Sequence, residues 1–268
     1  MYLFKNNRTL SILLSSFLLL MVAACDTTSS EEGNGDPELY PLGEFIQDSY
    51  TVTAWSTRPL SVGFHEIYLE VMENGIPVEG VHVHFNTMMH MEGHSHSSPY
   101  GEPDEQRDEV YNLYEAWAIF TMAGEWELEI TVHSEEDSET EISGSIPVEV
   151  DHTDRVKLFE GENGSHYILT WIEPKEPEVG MNDLLISLHR SVSHSEYPAV
   201  LNAQIGFEPW MPAPGMDHGS SNNVDPEHQG NGFYQGKVNF NMTGDWELRF
   251  DISQGGEKIG EPVIELNF

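Results

Sequence analysis

One unit is written twice in this chain. The segment FTMAGEWELEI at 120–130 returns as FNMTGDWELRF at 240–250, an offset of 120 residues. Upstream, YTVTAWSTRPLSVG at 50–63 matches YILTWIEPKEPEVG at 167–180, an offset of 117. Self-similarity over such a period means that one structural unit has been duplicated. A chain of 268 residues has room for two ordinary domains. Inside each copy the period is that of a β-strand. In GEWELEITV, Trp126, Leu128, Ile130 and Val132 fall on one face, with Glu127 and Glu129 on the other. GDWELRFDI repeats this with Trp246, Leu248, Phe250 and Ile252. Asn74-Gly75, between two apolar runs, reads as a hairpin turn. Gly124 and Gly244 stand where a tight turn between strands belongs. Short alternating strands without a long amphipathic pattern predict an all-β fold: two tandem immunoglobulin-like β-sandwiches, the second beginning near Asp151, with DRVKLF as its first strand or as a linker strand packed on the first module. Met122 and Met242 read as core filler beside these turns.

The first residues are of another kind. Lys5 and Arg8 precede an apolar run that ends in small residues, VAAC, at Cys25. This is the pattern of a secretory signal peptide, and its ending resembles the lipobox of bacterial lipoproteins, whose cysteine becomes the lipidated N-terminus. Cys25 is the chain's single cysteine, so the mature protein is expected to hold neither disulfide nor thiolate ligand. The expected organisation is a signal peptide at 1–24, a flexible acidic tether at 25–46, and sandwiches at 47–150 and 151–268. The lipid would hold the protein to the cell envelope, facing the periplasm or the cell surface. Net charge is −35, from 11 Lys and Arg against 46 Asp and Glu. Such a balance argues against nucleic acid as a partner, because phosphate contacts need basic side chains.

Between the strands lie two loops rich in sulfur and imidazole. In TMMHMEGHSH at 87–96, three methionines and three histidines fall within nine residues. At an offset of 122, Met89 aligns with Met211, His94 with Met216 and His96 with His218. Two diverged copies thus keep soft donors in matching places. Thioether sulfur suits Cu(I), and imidazole suits copper, zinc and nickel. A set without thiolate fits an oxidising compartment. The candidate metal ligands are Met89, His94, His96, Met211, Met216 and His218, with Met88, His90, Met91 and His228 as further candidates. His82 and His84 face away from the core in VHVHF, and the second copy has Gln204 and Gly206 there, so they read as exposed histidines. No cysteine nucleophile, phosphate loop or H-E-x-x-H motif is present, and no catalytic residue is assigned.

MPAPGMDHG at 211–219, GFYQG at 232–236 and MTGDW at 242–246 together resemble the YtkA-like/FixH-like family of bacterial extracytoplasmic domains. The first copy keeps Tyr114, MAGEW at 122–126 and the Met/His loop, but lacks the Met-Pro pair and has Ala116 for the second Gly of GFYQG. The resemblance implies an immunoglobulin-like sandwich and an association with copper handling or cytochrome oxidase assembly. The expectation is a lipoprotein that binds copper, as Cu(I), through both loops, and exchanges it with a metal-donating or metal-receiving protein. The alternatives are an envelope interaction or scaffold protein without metal, and a zinc or nickel scavenger using His82, His84, His90, His94 and His96.

Overall fold

A computed structural model describes residues 39–104, 106–134, 141–212, 214 and 216–268. Residues 1–38 lie outside the described residues, and with them the expected signal peptide, Cys25 and most of the expected tether. Among the described residues every regular element is a strand.

The first module contains β1 (Tyr40–Gln47), β2 (Tyr50–Ser56), β3 (Gly63–Glu73), β4 (Ile76–Pro77), β5 (Val81–Met91), β6 (His94–His96), β7 (Tyr100–Gly101), β8 (Tyr114–Phe120), β9 (Gly124–Ser134) and β10 (Glu141–Val150). One sheet runs β1-β2-β3-β8-β7, with β4 attached to β3, and the other runs β10-β9-β5-β6. The second module contains β11 (Val156–Glu160), β12 (His166–Glu173), β13 (Gly180–Ser191), β14 (Gln204–Met211), β15 (His218–Gly219), β16 (Val224–Gly230), β17 (Phe233–Phe240), β18 (Asp245–Gln254), β19 (Glu257–Gly260) and β20 (Val263–Asn267). Its sheets run β11-β12-β13-β17-β16 and β15-β14-β18-β19, with β20 on β18. In each module three strands face three others: β2-β3-β8 against β10-β9-β5, and β12-β13-β17 against β20-β18-β14. This is the Greek-key arrangement of an immunoglobulin-like sandwich.

The cores follow from the period of two. Trp126, Leu128, Ile130 and Val132 of β9 and Trp246, Leu248, Phe250 and Ile252 of β18 are all buried. Tyr114 and Tyr234 lie in the same cores and turn their hydroxyls to the start of the facing strand. Tyr234 Oη donates to Val200 O at 2.6 Å, and Tyr114 Oη to Val78 O at 3.4 Å.

Three local expectations are corrected. The apolar runs on either side of Asn74-Gly75 pair only briefly, Met72 with Pro77 and Glu73 with Ile76. Asn74 and Gly75 do form the turn, both at positive φ, but only the short β4 returns along β3. The chain then crosses to the opposite sheet, where β5 pairs with β9. The tether expected to reach residue 46 ends earlier, because β1 pairs with β2 from Tyr40 onward. Met122, expected in the core, is 36% exposed. The backbone carbonyl of Met122, not its thioether, engages the core: it accepts a hydrogen bond from Trp126 Nε1 at 3.1 Å.

The two modules meet along a seam. Val62 N donates to Asp151 O at 2.8 Å and Asp151 N to Leu60 O at 3.0 Å. Beside this strap the rings of Phe64 and Trp117 stack near Phe233 and the buried His189.

Candidate metal centre

Val81, Val83, Phe85, Thr87 and Met89 form the inward face of β5, and Met89 is its last buried residue. A tight turn at Glu92-Gly93 sends the chain back as β6, so that Met89 stands opposite His96 and Met91 opposite His94. Directly opposite residues in an antiparallel pair have Cβ atoms roughly 5 Å apart, close enough for long side chains to share a ligand. The pair sits at the open end of the sandwich. Beneath it the His96 ring meets Trp126 edge-on, with centroids 5.3 Å apart, and Trp126 in turn packs on Phe120.

The second module builds the same object. Met211, again the last buried residue on the inward face of β14, stands opposite His218 of β15. His218 faces Trp246 at 6.4 Å, and Trp246 packs on Phe240. Gly124 and Gly244 belong to these sites. Both lie at positive φ, +126° and +133°, and a Cβ would fall 3.3 Å from Met89 Cε at Gly124 and 2.9 Å from Met211 Cε at Gly244. The glycine of each M-x-G-x-W motif thus makes room for the methionine of the opposite loop.

The imidazoles are set in one tautomer. His96 Nδ1 lies 2.8 Å from Ser97 O, and His218 Nδ1 lies 3.1 Å from Gly219 O. A carbonyl only accepts, so each Nδ1 donates, and in the neutral ring the lone pair is left on Nε2. For His96 that Nε2 is buried and without a hydrogen-bond partner. A buried acceptor left unpaired is unfavourable by about 1–3 kcal/mol, and His65 Nδ1, His189 Nδ1 and His228 Nε2 share this property.

The other candidates are placed differently. Met88 and His90 lie on the outer face of β5, by the same alternation that turns Met89 inward, and His90 Nδ1 bonds Ser95 Oγ at 2.8 Å. Met91 and His94 continue the inward face beyond the core, both exposed. His94 turns towards the seam, with its ring 5.9 Å from His194. The two border a cavity of about 280 Å³ also lined by His96, Met122, His166 and Tyr197. Met216 is 49% exposed on the loop before β15. His228 does not fold back towards Met211: it pairs with Tyr234, whose hydroxyl bonds Ala203 N at the opposite end of β14. The five histidines of the scavenger reading also divide. His82 and His84 lie at the start of β5, and His90 follows His84 by six residues, about 20 Å of strand. The start of β5 holds a grouping that sequence reading missed: His82, His84 and Glu102 offer ligand atoms within 4.8 Å of one another. The signal available was the His-x-His spacing on one outer face; the contribution of Glu102 depends on the fold.

Several solved structures are similar over most of this chain. InvD of Yersinia pseudotuberculosis is 16% identical with a TM-score of 0.26, covering 86% of this chain and 56% of its own. Invasin, a bacterial integrin-binding protein, is 11% identical with a TM-score of 0.26, covering 81% of this chain. Domains 5–6 of the S-layer protein SbsC are 9% identical with a TM-score of 0.28, covering 85% of this chain and 98% of that one. The chain spans 39% of the invasin structure. No curated protein matches it. The YtkA-like family model matches residues 46–131 and again 163–251, about two-thirds of the chain. The two matches contain both Met/His pairs and both glycine–tryptophan turns, and the chain belongs to the YtkA-like family as two tandem copies of its domain.

Proposed function

We propose that this protein binds copper as Cu(I) outside the cytoplasm, held to the envelope by lipid on Cys25, and buffers the metal or passes it to a partner such as an oxidase under assembly. It catalyses no reaction of its own. The observation that carries this reading is the repeated cross-strand pair, Met89 with His96 and Met211 with His218, over a tryptophan floor. The residues fit the ion. A neutral thioether and an Nε2 lone pair are soft and borderline donors suited to Cu(I), and neither must lose a proton to bind. The buried Nε2 of His96 has no hydrogen-bond partner and is free to take an ion. The indole beside it excludes water and presents an electron-rich surface to a cation. Of the remaining candidates, Met91 and His94 are the ones that stand on the same face, one rung further out, where a passing ion would be met first.

A competition titration of residues 26–268 with Cu(I), Zn(II) and Ni(II) tests this. Met89→Leu/Met211→Leu keeps the volume and removes the sulfur. Cu(I) affinity is expected to fall by at least ~10-fold in the double variant, with an unchanged fold by circular dichroism. Equal Cu(I) affinity in the two proteins would overturn the reading.

A further inference from the structure

The outer face of the first module carries a second group of potential ligands, at the far end of β5 from Met89. His82 and His84 are two residues apart on β5, so both project away from the core. β9 runs antiparallel beside them and places His133 directly opposite His82. The rings stand close, His82 to His84 at 4.5 Å and His84 to His133 at 5.2 Å. Glu102 arrives from the opposite sheet, just after β7, and its Oε1 lies 3.0 Å from His84 Nδ1. A tetrahedral ion with bonds of about 2.0–2.1 Å needs donor atoms roughly 3.4 Å apart. The donors of His82, His84 and Glu102 already lie within 4.8 Å of one another, and rotation of these partly exposed side chains closes the rest.

The surroundings favour a cation. A cavity of about 850 Å³ opens beside His82 and Glu102, with Asp104, Asp108, Glu109 and Glu115 on its walls. Glu115 on its wall is held above the usual carboxylate range, by burial first and then by the neighbouring carboxylates of Glu66, Asp108 and Asp104. Arg107 also lines the cavity, but it is engaged with Val78 O and stands 3.8 Å from Glu79. A concave acidic surface concentrates cations at its mouth. The second module has Gln204, Gly206 and Ser253 at the positions of His82, His84 and His133, so it does not repeat this arrangement.

We propose that His82, His84 and Glu102, with His133 as the fourth group, form a metal site for a divalent first-row ion such as zinc, separate from the Met/His pairs. Nitrogen and carboxylate donors without sulfur suit Zn(II) and its neighbours and leave Cu(I) to the thioethers. The site stands whether or not the Met/His pairs bind copper.

The test is a Zn(II) titration of the full chain in detergent, against a competing chelator. The wild type is compared with His82→Gln/His84→Gln and with Glu102→Gln. Zn(II) is expected to bind at least ~10-fold more weakly in both variants, and in the wild type to shift the imidazole NMR signals of His82, His84 and His133. Thermal unfolding reports whether the histidine variant folds, and Glu102→Gln decides the matter if it does not. Zn(II) affinity within twofold of wild type in the folded variants, or a Zn(II) response confined to His94, His166 and His194 at the seam, would overturn the proposal.

Discussion

Met89 and Met211 occupy one place in two modules, and the floors beneath them are nearly superimposable in their distances. Trp126 lies 5.3 Å from Phe120 and Trp246 lies 5.2 Å from Phe240. Each indole donates to the carbonyl of the methionine four residues before it, at 3.1 Å in both. The rims differ. The first has an extra rung, Met91 opposite His94, and leans on the second module through His194. The second replaces that rung with a loop holding Pro212, Pro214 and the exposed Met216, and closes with a two-residue strand. Duplication thus preserved the part fixed by core packing, where a lost contact is felt at once. It freed the part in water, where residues change at little structural cost and access and exchange are set.

The largest effect is expected from truncating the floor's own methionine. Met89→Ala and Met211→Ala each remove a buried side chain and should destabilise the chain by about 2–5 kcal/mol in urea unfolding. Leucine in the same places should cost under about 1.5 kcal/mol. If alanine proves as mild as leucine at one site only, that floor is not packed as its twin is.

The comparison extends to the first sheet, where β3 and β13 each bury one histidine, His65 and His189. Burial alone lowers His189 to a pKa of about 4. His65 is lowered to about 3, by burial first and then by Arg58 and Lys175, against an opposing backbone hydrogen bond at Ser61. Both rings are therefore neutral in the folded protein, while the unfolded chain takes up protons below pH 6.5. Their contribution is complete above pH 6.5 and is lost as the pH falls towards the folded pKa values. For His189 the slope is about 1.4 kcal/mol per pH unit. Between pH 6.5 and 5 the wild type should lose about 1.5 kcal/mol more than His189→Leu, read from urea midpoints at each pH. Parallel curves would mean that His189 is charged in the fold. A smaller asymmetry is expected at the turns. Gly244→Ala and Gly124→Ala both force an L-residue to positive φ, a strain of about 1–3 kcal/mol. Gly244→Ala should be the worse, because its Cβ would stand 2.9 Å from Met211 Cε, against 3.3 Å for Gly124 and Met89. Equal midpoints would show that Met211 swings aside without penalty.

How much of this could be read in the sequence follows from which contacts are periodic. The inward faces of β9 and β18 were legible because a strand buried on one side writes its burial every second residue. The same rule separates Met89 from Met88 and His90. The repeat marked Met89, His96, Met211 and His218 as candidates by their shared spacing, but it did not show that they stand opposite each other on paired strands rather than on loops. What is long-range was not. Asn74-Gly75 announces a turn but cannot say that the next strand joins the other sheet. Glu102 reaches His84 because β7 hangs on β8, across the sandwich from β5. His133 faces His82 only once the register of β5 on β9 is known.

The last way to sharpen the comparison is to separate what His96 would do for the proposed ion from what it does for the fold. Its Nδ1 is bonded to Ser97 O, but its buried Nε2 has no hydrogen-bond partner. His96→Phe fills much of the same volume beside Trp126 with no orphaned nitrogen, though it also gives up the bond to Ser97 O. These changes oppose each other, at about 1–3 kcal/mol gained for the nitrogen and about 1 kcal/mol lost for the bond. The metal-free variant should therefore unfold at or slightly above the urea midpoint of the wild type. Its Cu(I) affinity should fall nonetheless, since the imidazole is gone. A residue whose replacement leaves the fold as stable or better while binding is lost is kept for the ligand. A marked drop in stability without a change in Cu(I) affinity would assign His96 to the core and leave the first module's floor without an ion.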